Sequence, residues 1–386
     1  MSESVVKIKV FGVGGGGNNA VNRMADMGIE NVTLVAVNTD KPVLDVSKAE
    51  DKIVIGEATT KGRGAGANPL VGKMAAEESV ESIKRALEGV DMLYITAGMG
   101  GGTGTGAAPV IARIAHEMEI LTVAVVTRPF AFEGKPRAAV AEDGIEQLRP
   151  FVDALIVVSN EKLREISDTP ISMKNAFAEA DNVLVGSVKS ICNVIYKTSF
   201  INTDFADVTT VLKDAGDAHI GIGSAIGAGK WEFAAKQALS SPLLDTSIVG
   251  ANAIIINITA DEEVPLDEIT KLSEMITSQV PDAKVIWGMD FDPKLKDQVQ
   301  VVVIATKSAK GGLGADTGID GSADNNGSKT DGNGGDDAAK QGEESAEERT
   351  SNDESKREEP KKTSGDWLFT DEEFEKIRTV ANHNDR

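Results

Sequence analysis

The sequence predicts an α/β protein: a Rossmann-type, doubly wound parallel sheet followed by a smaller α+β C-terminal domain. Short β-branched runs alternate with amphipathic helical stretches, and two glycine clusters come directly after predicted strands. Apolar residues also recur at three- and four-residue spacing over 176–198, which predicts one long connecting helix. With 386 residues, the chain is long enough for two ordinary domains.

The first domain is predicted over residues 1–175. Its predicted strands are Lys7–Val13, Val32–Asn38, Asp91–Ala97, Leu121–Thr127 and Ala154–Ser159. Its predicted helices are Ala20–Gly28, Val71–Glu88, Ala107–Glu119 and Ala139–Leu148. Regular alternation of strands and helices is typical of a parallel sheet covered by helices on both faces.

The second domain is predicted over residues 199–307, after the central helix. Its predicted strands are His219–Ala228, Ala253–Thr259, Lys284–Gly288 and Gln298–Ile304, and its predicted helices are Trp231–Leu239 and Leu266–Ile276. A different ratio of strands to helices separates this unit from the first, and the pattern indicates an α+β arrangement.

Composition changes sharply after Lys307. Residues 308–364 contain no aromatic residue, 14 acidic and 8 basic residues, and many Gly, Ser and Asn. Such a segment buries too little apolar surface to offset its ordering entropy, so we predict a disordered acidic linker. Residues 365–386 regain Trp, Phe and helical periodicity, which favours a partner-docking peptide over a frayed terminus.

Charge and composition exclude several classes of function. A net charge of −21 argues against nucleic-acid binding and against direct adhesion to anionic lipid. A single cysteine, Cys192, is compatible with a reducing compartment, and the three histidines have no metal-ligand spacing. No signal peptide precedes the first strand and no apolar run reaches the ~20 residues of a membrane span, so we expect a soluble, cytoplasmic protein without direct membrane insertion.

The first glycine cluster, Gly12–Asn19, follows the first predicted strand. Consecutive glycines let the backbone approach a phosphate at a helix N-terminus, where anions are favoured. The cluster also satisfies G-x-G-x-x-G, with Asp40 a suitable distance onward, and this pattern alone favours a dinucleotide enzyme.

The second glycine cluster, Gly98–Gly106, changes that interpretation. It follows another predicted strand and precedes a helix, and Thr103 and Thr105 add hydroxyl donors for phosphate oxygens or a metal-bound water. Two phosphate loops on neighbouring strands suit a polyphosphate gripped from both sides. Because G-x-x-x-x-G-K-[ST] is absent, the chain is not an ordinary P-loop protein.

Gly100–Gly106 matches the signature of the tubulin superfamily, and the sequence from about Val6 to Lys307 resembles the FtsZ family of bacterial cell-division GTPases. The further matching motifs are Val37–Asp40, Gly62–Asn68, Arg128–Arg137 and Ile201–Val208. The resemblance implies a tubulin-like fold, GTP and GDP as ligands, Mg²⁺ on the phosphates, and hydrolysis of GTP to GDP and phosphate.

The resemblance also implies roles for individual residues around the nucleotide. The implied nucleotide contacts are Gly15, Gly16, Gly17, Asn18, Asn19, Gly102, Thr103, Gly104, Glu133 and Arg137. It implies guanine recognition by Asn160 and Asp181, with Phe177 stacking on the base. From the residues alone, Glu133 and Arg137 have the spacing of a surface ion pair, Phe177 is a core residue and Asp181 is a solvated acid.

Asp204 and Asp207 lie three apart at a helix start, where they could simply cap the helix. The resemblance implies instead that they orient the attacking water on the nucleotide of an adjacent subunit, helped by Asn202. Hydrolysis would then require head-to-tail assembly into a homopolymer, with membrane-tethering and regulatory division proteins docking on residues 365–386. That peptide departs from the usual family tail, which leaves the identity of these adaptors open.

Two other functions remain as alternatives. One is a tubulin-like structural filament with weak hydrolysis, against which both Asp204 and Asp207 count. The other is a nicotinamide-dependent oxidoreductase, suggested by Gly12–Gly17, but the second domain offers no His-centred site for hydride transfer.

Overall fold

The computed structural model describes residues 6–162, 173–196, 204–239, 248–261, 264–292, 295 and 297–307. The predicted linker at 308–364, the predicted docking peptide at 365–386 and the candidate residue Asn202 lie outside the described residues. Among the described residues, no helix is both long and apolar enough to cross a membrane.

The described strands form one ten-stranded sheet in the order β3-β2-β1-β4-β5-β6-β7-β10-β8-β9. The strands are β1 (Ile8–Val13), β2 (Val32–Asn38), β3 (Asp51–Val54), β4 (Met92–Gly98), β5 (Leu121–Arg128), β6 (Ala154–Ser159), β7 (Gly216–Ile226), β8 (Ala253–Ala260), β9 (Lys284–Phe291) and β10 (Gln298–Thr306). The first six are parallel to their neighbours, whereas β10 is antiparallel to both β7 and β8. This confirms the predicted fold class.

The helices pack on both faces of the parallel half of the sheet. They are α1 (Gly14–Asp26), α2 (Lys41–Asp45), α3 (Glu57–Thr60), α4 (Pro69–Glu78), α5 (Val80–Leu87), α6 (Thr103–Glu117), α7 (Lys135–Leu148), α8 (Met173–Tyr196), α9 (Phe205–Leu212), α10 (Lys230–Leu239) and α11 (Leu266–Thr277). Buried apolar residues form one cluster on the α1 and α8 face and another on the α6 and α7 face. A third lies under α10 and α11.

Two parts of the sheet meet at a short junction. Strands β6 and β7 pair in parallel only at Ala154 with Gly216 and at Leu155 with Asp217. The junction is reinforced from one side chain, since Asp153 accepts hydrogen bonds from the backbone N–H of Thr122 at 2.8 Å and of Asp214 at 3.3 Å. The predicted domain boundaries stay a prediction.

The predicted elements differ from the observed ones mainly at the glycine clusters and at one short strand. Helix α1 begins at Gly14 rather than Ala20, and α6 begins at Thr103 rather than Ala107. Glycine is a weak helix former in the interior, but in a first turn it permits close backbone packing. The predicted helix Val71–Glu88 is two helices in the structure, α4 and α5, with a break at Ser79. The edge strand β3 was not predicted.

Candidate functional site

The candidate site lies at the carboxyl edge of the parallel strands, which is where open α/β sheets place their ligands. The loops after β1 and β4 carry the two glycine clusters. The loop after β2 carries Thr39 and Asp40, the loop after β5 carries Glu133, and the turn after β6 begins at Asn160. Five neighbouring strands therefore direct predicted site residues to one edge of the sheet.

Helix α1 packs on the sheet by direct backbone contact. A Cβ atom on Gly17 would lie 2.3 Å from the carbonyl oxygen of Thr96, and one on Gly12 would lie 2.3 Å from that of Gly17. Only glycine fits at these two positions. Close packing holds the N-terminus of α1, with its unpaired N–H groups, above the end of β1.

The two glycine loops touch each other. A Cβ atom on Gly14 would lie 2.7 Å from the backbone nitrogen of Gly104, and one on Gly16 would lie 3.1 Å from that of Gly98. Gly104 lies in the first turn of α6, so the N-termini of α1 and α6 converge. Two helix N-termini side by side favour a ligand with several negative charges.

Glycines of two kinds occur in these loops. Gly14, Gly16, Gly17 and Gly104 pack tightly against protein atoms, whereas a Cβ atom on Gly15 or on Gly101 would meet no heavy atom within 4 Å. Packing within the described chain therefore does not require glycine at Gly15 or Gly101. Close approach of a ligand to the backbone is a physical reason for glycine at both.

The two hydroxyl groups of the second loop differ in their use. Thr103 Oγ1 lies 2.7 Å from Thr39 Oγ1, which links the loop after β4 to the loop after β2. Thr105 Oγ1 accepts a 2.9 Å hydrogen bond from the backbone N–H of Gly100, and its side chain is buried. Thr105 therefore holds the loop in shape as an acceptor, and the predicted donation from its hydroxyl to a phosphate oxygen or a water stays a prediction.

The predicted asparagines of α1 differ in burial. The side chain of Asn18 is fully buried, donates to the carbonyl of Gly12 at 2.6 Å and accepts from Asn38 Nδ2 at 2.7 Å. It therefore ties α1 to β1 and β2. Asn19 is exposed.

Glu133 and Arg137 form the ion pair that their spacing allows, with 3.1 Å between Arg137 Nε and Glu133 Oε2. Glu133 also accepts from the backbone N–H of Phe130 at 2.9 Å. The Arg137 side chain packs over the second glycine loop, since a Cβ atom on Gly100 would lie 2.8 Å from Arg137 Cγ. Glu133 and Arg137 can therefore form an ion pair with each other and still border the site.

An aromatic cluster borders the site beside Asn160. Phe177 is 42% exposed, and its ring meets Phe130 edge-on at 5.2 Å between centroids. Phe132 is 60% exposed and stacks on Phe130 at 5.1 Å. Asn160 is buried, and its Oδ1 has no hydrogen-bond partner among the described residues. A planar base with hydrogen-bonding edges fits an exposed ring beside an unsatisfied amide.

Asp181 lies one helical turn after Phe177 on α8. Burial raises the pKa of this carboxyl to about 7, and the nearby Arg23 of α1 opposes the rise. Arg23 Nε donates to Asn182 Oδ1 at 2.8 Å, so the guanidinium is anchored to the residue next to Asp181. A partly desolvated carboxyl gains strongly from a ligand that donates hydrogen bonds to it.

Asp204 and Asp207 cap the start of α9. Asp204 Oδ1 accepts from the Asp207 backbone N–H at 2.8 Å, and the Asp204 N–H approaches Asp207 Oδ2 at 3.4 Å. This is the reciprocal capping box that the sequence allowed as an alternative to a catalytic role. Both acids remain accessible to solvent to some degree.

The structure does not bring these acids to the glycine loops. Helix α8 starts beside the aromatic cluster and ends near the start of β1, where the Tyr196 hydroxyl donates to the carbonyl of Val6 at 2.7 Å. From Asp181 to Tyr196 the helix rises about 22 Å at the usual 1.5 Å per residue. The C-terminal end of α9 leads to Asp214, whose backbone N–H donates a hydrogen bond to Asp153, the residue just before β6. Asp204 and Asp207 therefore lie towards the amino edge of the sheet, opposite the glycine loops.

Two residues at the site were not predicted from the sequence: Thr39 and Arg23. Thr39 lies within the motif Val37–Asp40, so its position after a buried strand was a usable signal. Arg23 resembled an ordinary cation in the last turn of a helix. Its proximity to Asp181 depends on packing between α1 and α8, which no local pattern encodes.

Comparisons with known proteins agree with this geometry. Two family models match the chain: Tubulin/FtsZ family, GTPase domain, over residues 7–168, and FtsZ family, C-terminal domain, over residues 216–309. An empty FtsZ dimer from M. jannaschii is 44% identical, with a TM-score of 0.74 over 79% of this chain and 89% of that chain. A tryptophan-to-tyrosine FtsZ variant from M. jannaschii has the same identity and TM-score and is covered to 92%.

A more distant structure shares the fold alone. A GTPγS-bound protofilament of CetZ2 from Haloferax volcanii is 20% identical, with a TM-score of 0.66 over 78% of this chain and 92% of that chain. The fold and the paired glycine loops thus define a tubulin-like GTPase of the polymerising, cytoskeletal class. The chain belongs to the FtsZ family.

Proposed function

We propose that this GTPase hydrolyses GTP only between two subunits, with the acids of one chain acting on the nucleotide of the next. The observation that carries the proposal is the placement of Asp204 and Asp207 at the sheet edge opposite the glycine loops. A chain cannot fold its own acids onto its own loops without unpacking α8. A second copy, stacked head to tail, would supply them, and such a contact is open-ended.

The triphosphate would lie over Gly15 and Gly101, where the backbone is open, between the N-termini of α1 and α6. Thr103, Gly102, Gly104 and Arg137 border the same space. The ligand fits the charge of the site, because two helix N-termini and a guanidinium favour an anion. We place the guanine between Phe177 and Asn160, with the Asp181 carboxylate accepting from its N1 and N2 groups.

Mg²⁺ would be held mainly by the phosphates. Within the described ranges, no three His, Cys, Asp or Glu side chains form a group that could hold a metal. Mg²⁺ keeps several waters and binds nucleotides through phosphate oxygens with few protein ligands, so such a site is compatible with these residues. When bound, it would offset charge on the phosphates during phosphoryl transfer.

In the catalytic step, the carboxylates of Asp204 and Asp207 would align the attacking water and accept its proton. Asn202 would help to fix this loop. A lone subunit would bind GTP yet hydrolyse it slowly, since the acids that orient the water would be missing. Loss of the terminal phosphate at the contact would then weaken the filament.

The cellular role proposed from family membership is the cytokinetic ring, on the cytoplasmic side of the membrane at the division site. Its support is the family match and the strongly acidic chain, whose net charge of −21 disfavours direct binding to anionic lipid. Tethering and regulatory proteins would bind residues 365–386, where aromatic residues return after the acidic segment.

The decisive test uses Asp207→Asn, which keeps an acceptor oxygen for the helix cap but removes the charge. Alone, this variant should bind GTP, form pelletable polymer and hydrolyse GTP at least about 100-fold more slowly than the wild type, in line with loss of a catalytic base. Next, wild-type protein is held below its assembly threshold and excess Asp207→Asn protein is added.

A shared site predicts that GTP turnover rises on mixing, because wild-type acids now face nucleotides bound to variant subunits. If each chain carried a complete site, turnover would stay at the value of the wild-type protein alone. Asp204→Ser is the matched control for capping, since serine keeps the N-cap hydrogen bond. It should preserve thermal stability while slowing hydrolysis.

A further inference from the structure

Several exposed cations lie near the glycine loops and form no ion pair within the described part of the chain. They are Lys41, Lys61, Arg63 and Lys73. Exposed cations without an ion pair also occur elsewhere among the described residues, Arg85 and Lys213 among them, so it is position that distinguishes this set. Exposed positive charge beside the glycine loops favours an anionic ligand there.

Arg63 is the member of this set whose backbone is tied most directly to the site. It forms an isolated antiparallel bridge with Asp40, at the carboxyl end of β2. The next residue, Gly64, donates its N–H to the carbonyl of Thr39 at 3.1 Å. Thr39 in turn contacts Thr103 through the two hydroxyls, 2.7 Å apart, so two steps connect the Arg63 segment to the first turn of α6.

The same segment also packs against the second glycine loop. A Cβ atom on Gly102 would lie 2.8 Å from Ala65 Cβ and 2.9 Å from the backbone nitrogen of Asn68. Gly102 is the residue that precedes α6, where a phosphate would meet the helix N-terminus. The 61–68 segment is therefore one wall of the phosphate region, and Arg63 lies on it.

We propose that Arg63 contacts the terminal phosphate of GTP bound in the same chain, as a further binding residue of the GTPase site. The inference rests on the proposed placement of the nucleotide over Gly15 and Gly101. A guanidinium offers a planar fork of donors that matches two phosphate oxygens, and it stays charged at all working pH values. Contact with the terminal phosphate would make Arg63 a sensor of GTP against GDP.

The test compares affinities for GTP and GDP at protein concentrations below the assembly threshold, so that no neighbour contributes. Arg63→Leu should weaken GTP binding about tenfold, as expected for loss of one charge-assisted contact, and change GDP binding less than about twofold. Arg63→Lys should recover part of the loss. Arg85→Leu is the matched control, because Arg85 is exposed on α5, near the opposite edge of the sheet.

Three results would overturn the proposal. Equal loss of GTP and GDP affinity would move the contact away from the terminal phosphate. Unchanged affinities with a raised assembly threshold would assign Arg63 to the neighbouring subunit, and unchanged affinities with an unchanged threshold would leave it without a role at the site. Absence of GTP binding by the wild-type protein in the same assay would contradict the proposed function. That result is distinct from a failure of the proposal for Arg63. Unfolding temperatures without nucleotide control for folding.

Discussion

Affinity for guanine nucleotides should depend on pH through Asp181. Burial raises the pKa of this carboxyl to about 7 in the nucleotide-free chain, while Arg23 opposes the rise. Guanine offers two N–H donors, so it binds the ionised carboxylate and not the protonated acid. Binding should therefore be strong above neutral pH and should weaken as pH falls through the pKa, with uptake of a proton by the free protein.

The size of the effect follows from the ionised fraction. With a pKa of about 7, roughly nine-tenths of Asp181 is ionised at pH 8 and roughly one-tenth at pH 6. Apparent affinity should therefore fall about tenfold between these two pH values. Replacing Arg23 by Met removes the cation that favours the charged form, so the midpoint should move to higher pH.

The assay is equilibrium binding of GDP to unassembled protein between pH 5.5 and 8.5. Terminal phosphates also titrate near pH 6, so the informative quantity is the affinity of the wild type divided by that of Asp181→Asn. Asparagine keeps the size and cannot titrate. The wild-type to variant ratio should rise with pH and level off above about pH 8, the behaviour expected of a group with a pKa near 7.

A flat ratio would refute this reasoning, because it would show that Asp181 does not titrate in this range or does not contact the base.

Titration of Asp181 also affects the free energy of unfolding, with the opposite dependence on pH. Without nucleotide, the folded chain holds a proton on Asp181 that the unfolded chain releases near pH 4, so this contribution to stability is lost as pH rises towards 7. Thermal shifts caused by GDP should accordingly grow over the same range.

Two further predictions concern the glycine loops. Gly15→Ala should leave the free energy of unfolding unchanged or raise it by up to about 1 kcal/mol, yet weaken GTP binding at least tenfold. Gly106→Ala should instead lower the free energy of unfolding by about 1–3 kcal/mol, because its Cβ would lie 2.0 Å from the carbonyl oxygen of Pro69. Urea unfolding measures the effect on stability and nucleotide titration measures the effect on binding, so together they separate the two variants. Thr105→Val should destabilise the loop by about 1–2 kcal/mol, since the buried N–H of Gly100 loses its acceptor, while Thr105→Ser should be close to wild type in the same measurement.

Much of the fold could be predicted because its signals are local. Strands β2 and β6 were predicted with the bounds that the structure shows, and helix α10 differs by one residue at its start. Buried parallel strands are continuous apolar runs bounded by turn residues, so one short window identifies them. Strand β3 at Asp51–Val54 lacks that signal, because it is a half-exposed edge strand with two charged residues in four.

The glycine clusters show where local reasoning failed. Helix propensity disfavours Gly14–Gly17 in a helix, and the predicted start of α1 was accordingly too late. The structure places these residues in the first turn, where packing of Gly17 against β1 and β4 leaves no room for a side chain. Tertiary contacts decided the conformation, and the information needed to see this lies in Thr96, some 80 residues away along the chain.

The pair Asp204 and Asp207 illustrates why one motif supported two interpretations. A carboxylate has two oxygens, and the capping box uses Oδ1 of Asp204 and Oδ2 of Asp207. One oxygen of each acid is not used by the box, so capping does not compete with orienting a water. Instead, the reciprocal bonds fix the two carboxylates relative to each other before any neighbour arrives, and preorganised groups align a reactant with little further loss of entropy. The structural role thus supports the catalytic one, and only charge-removing variants that keep the cap can separate their effects.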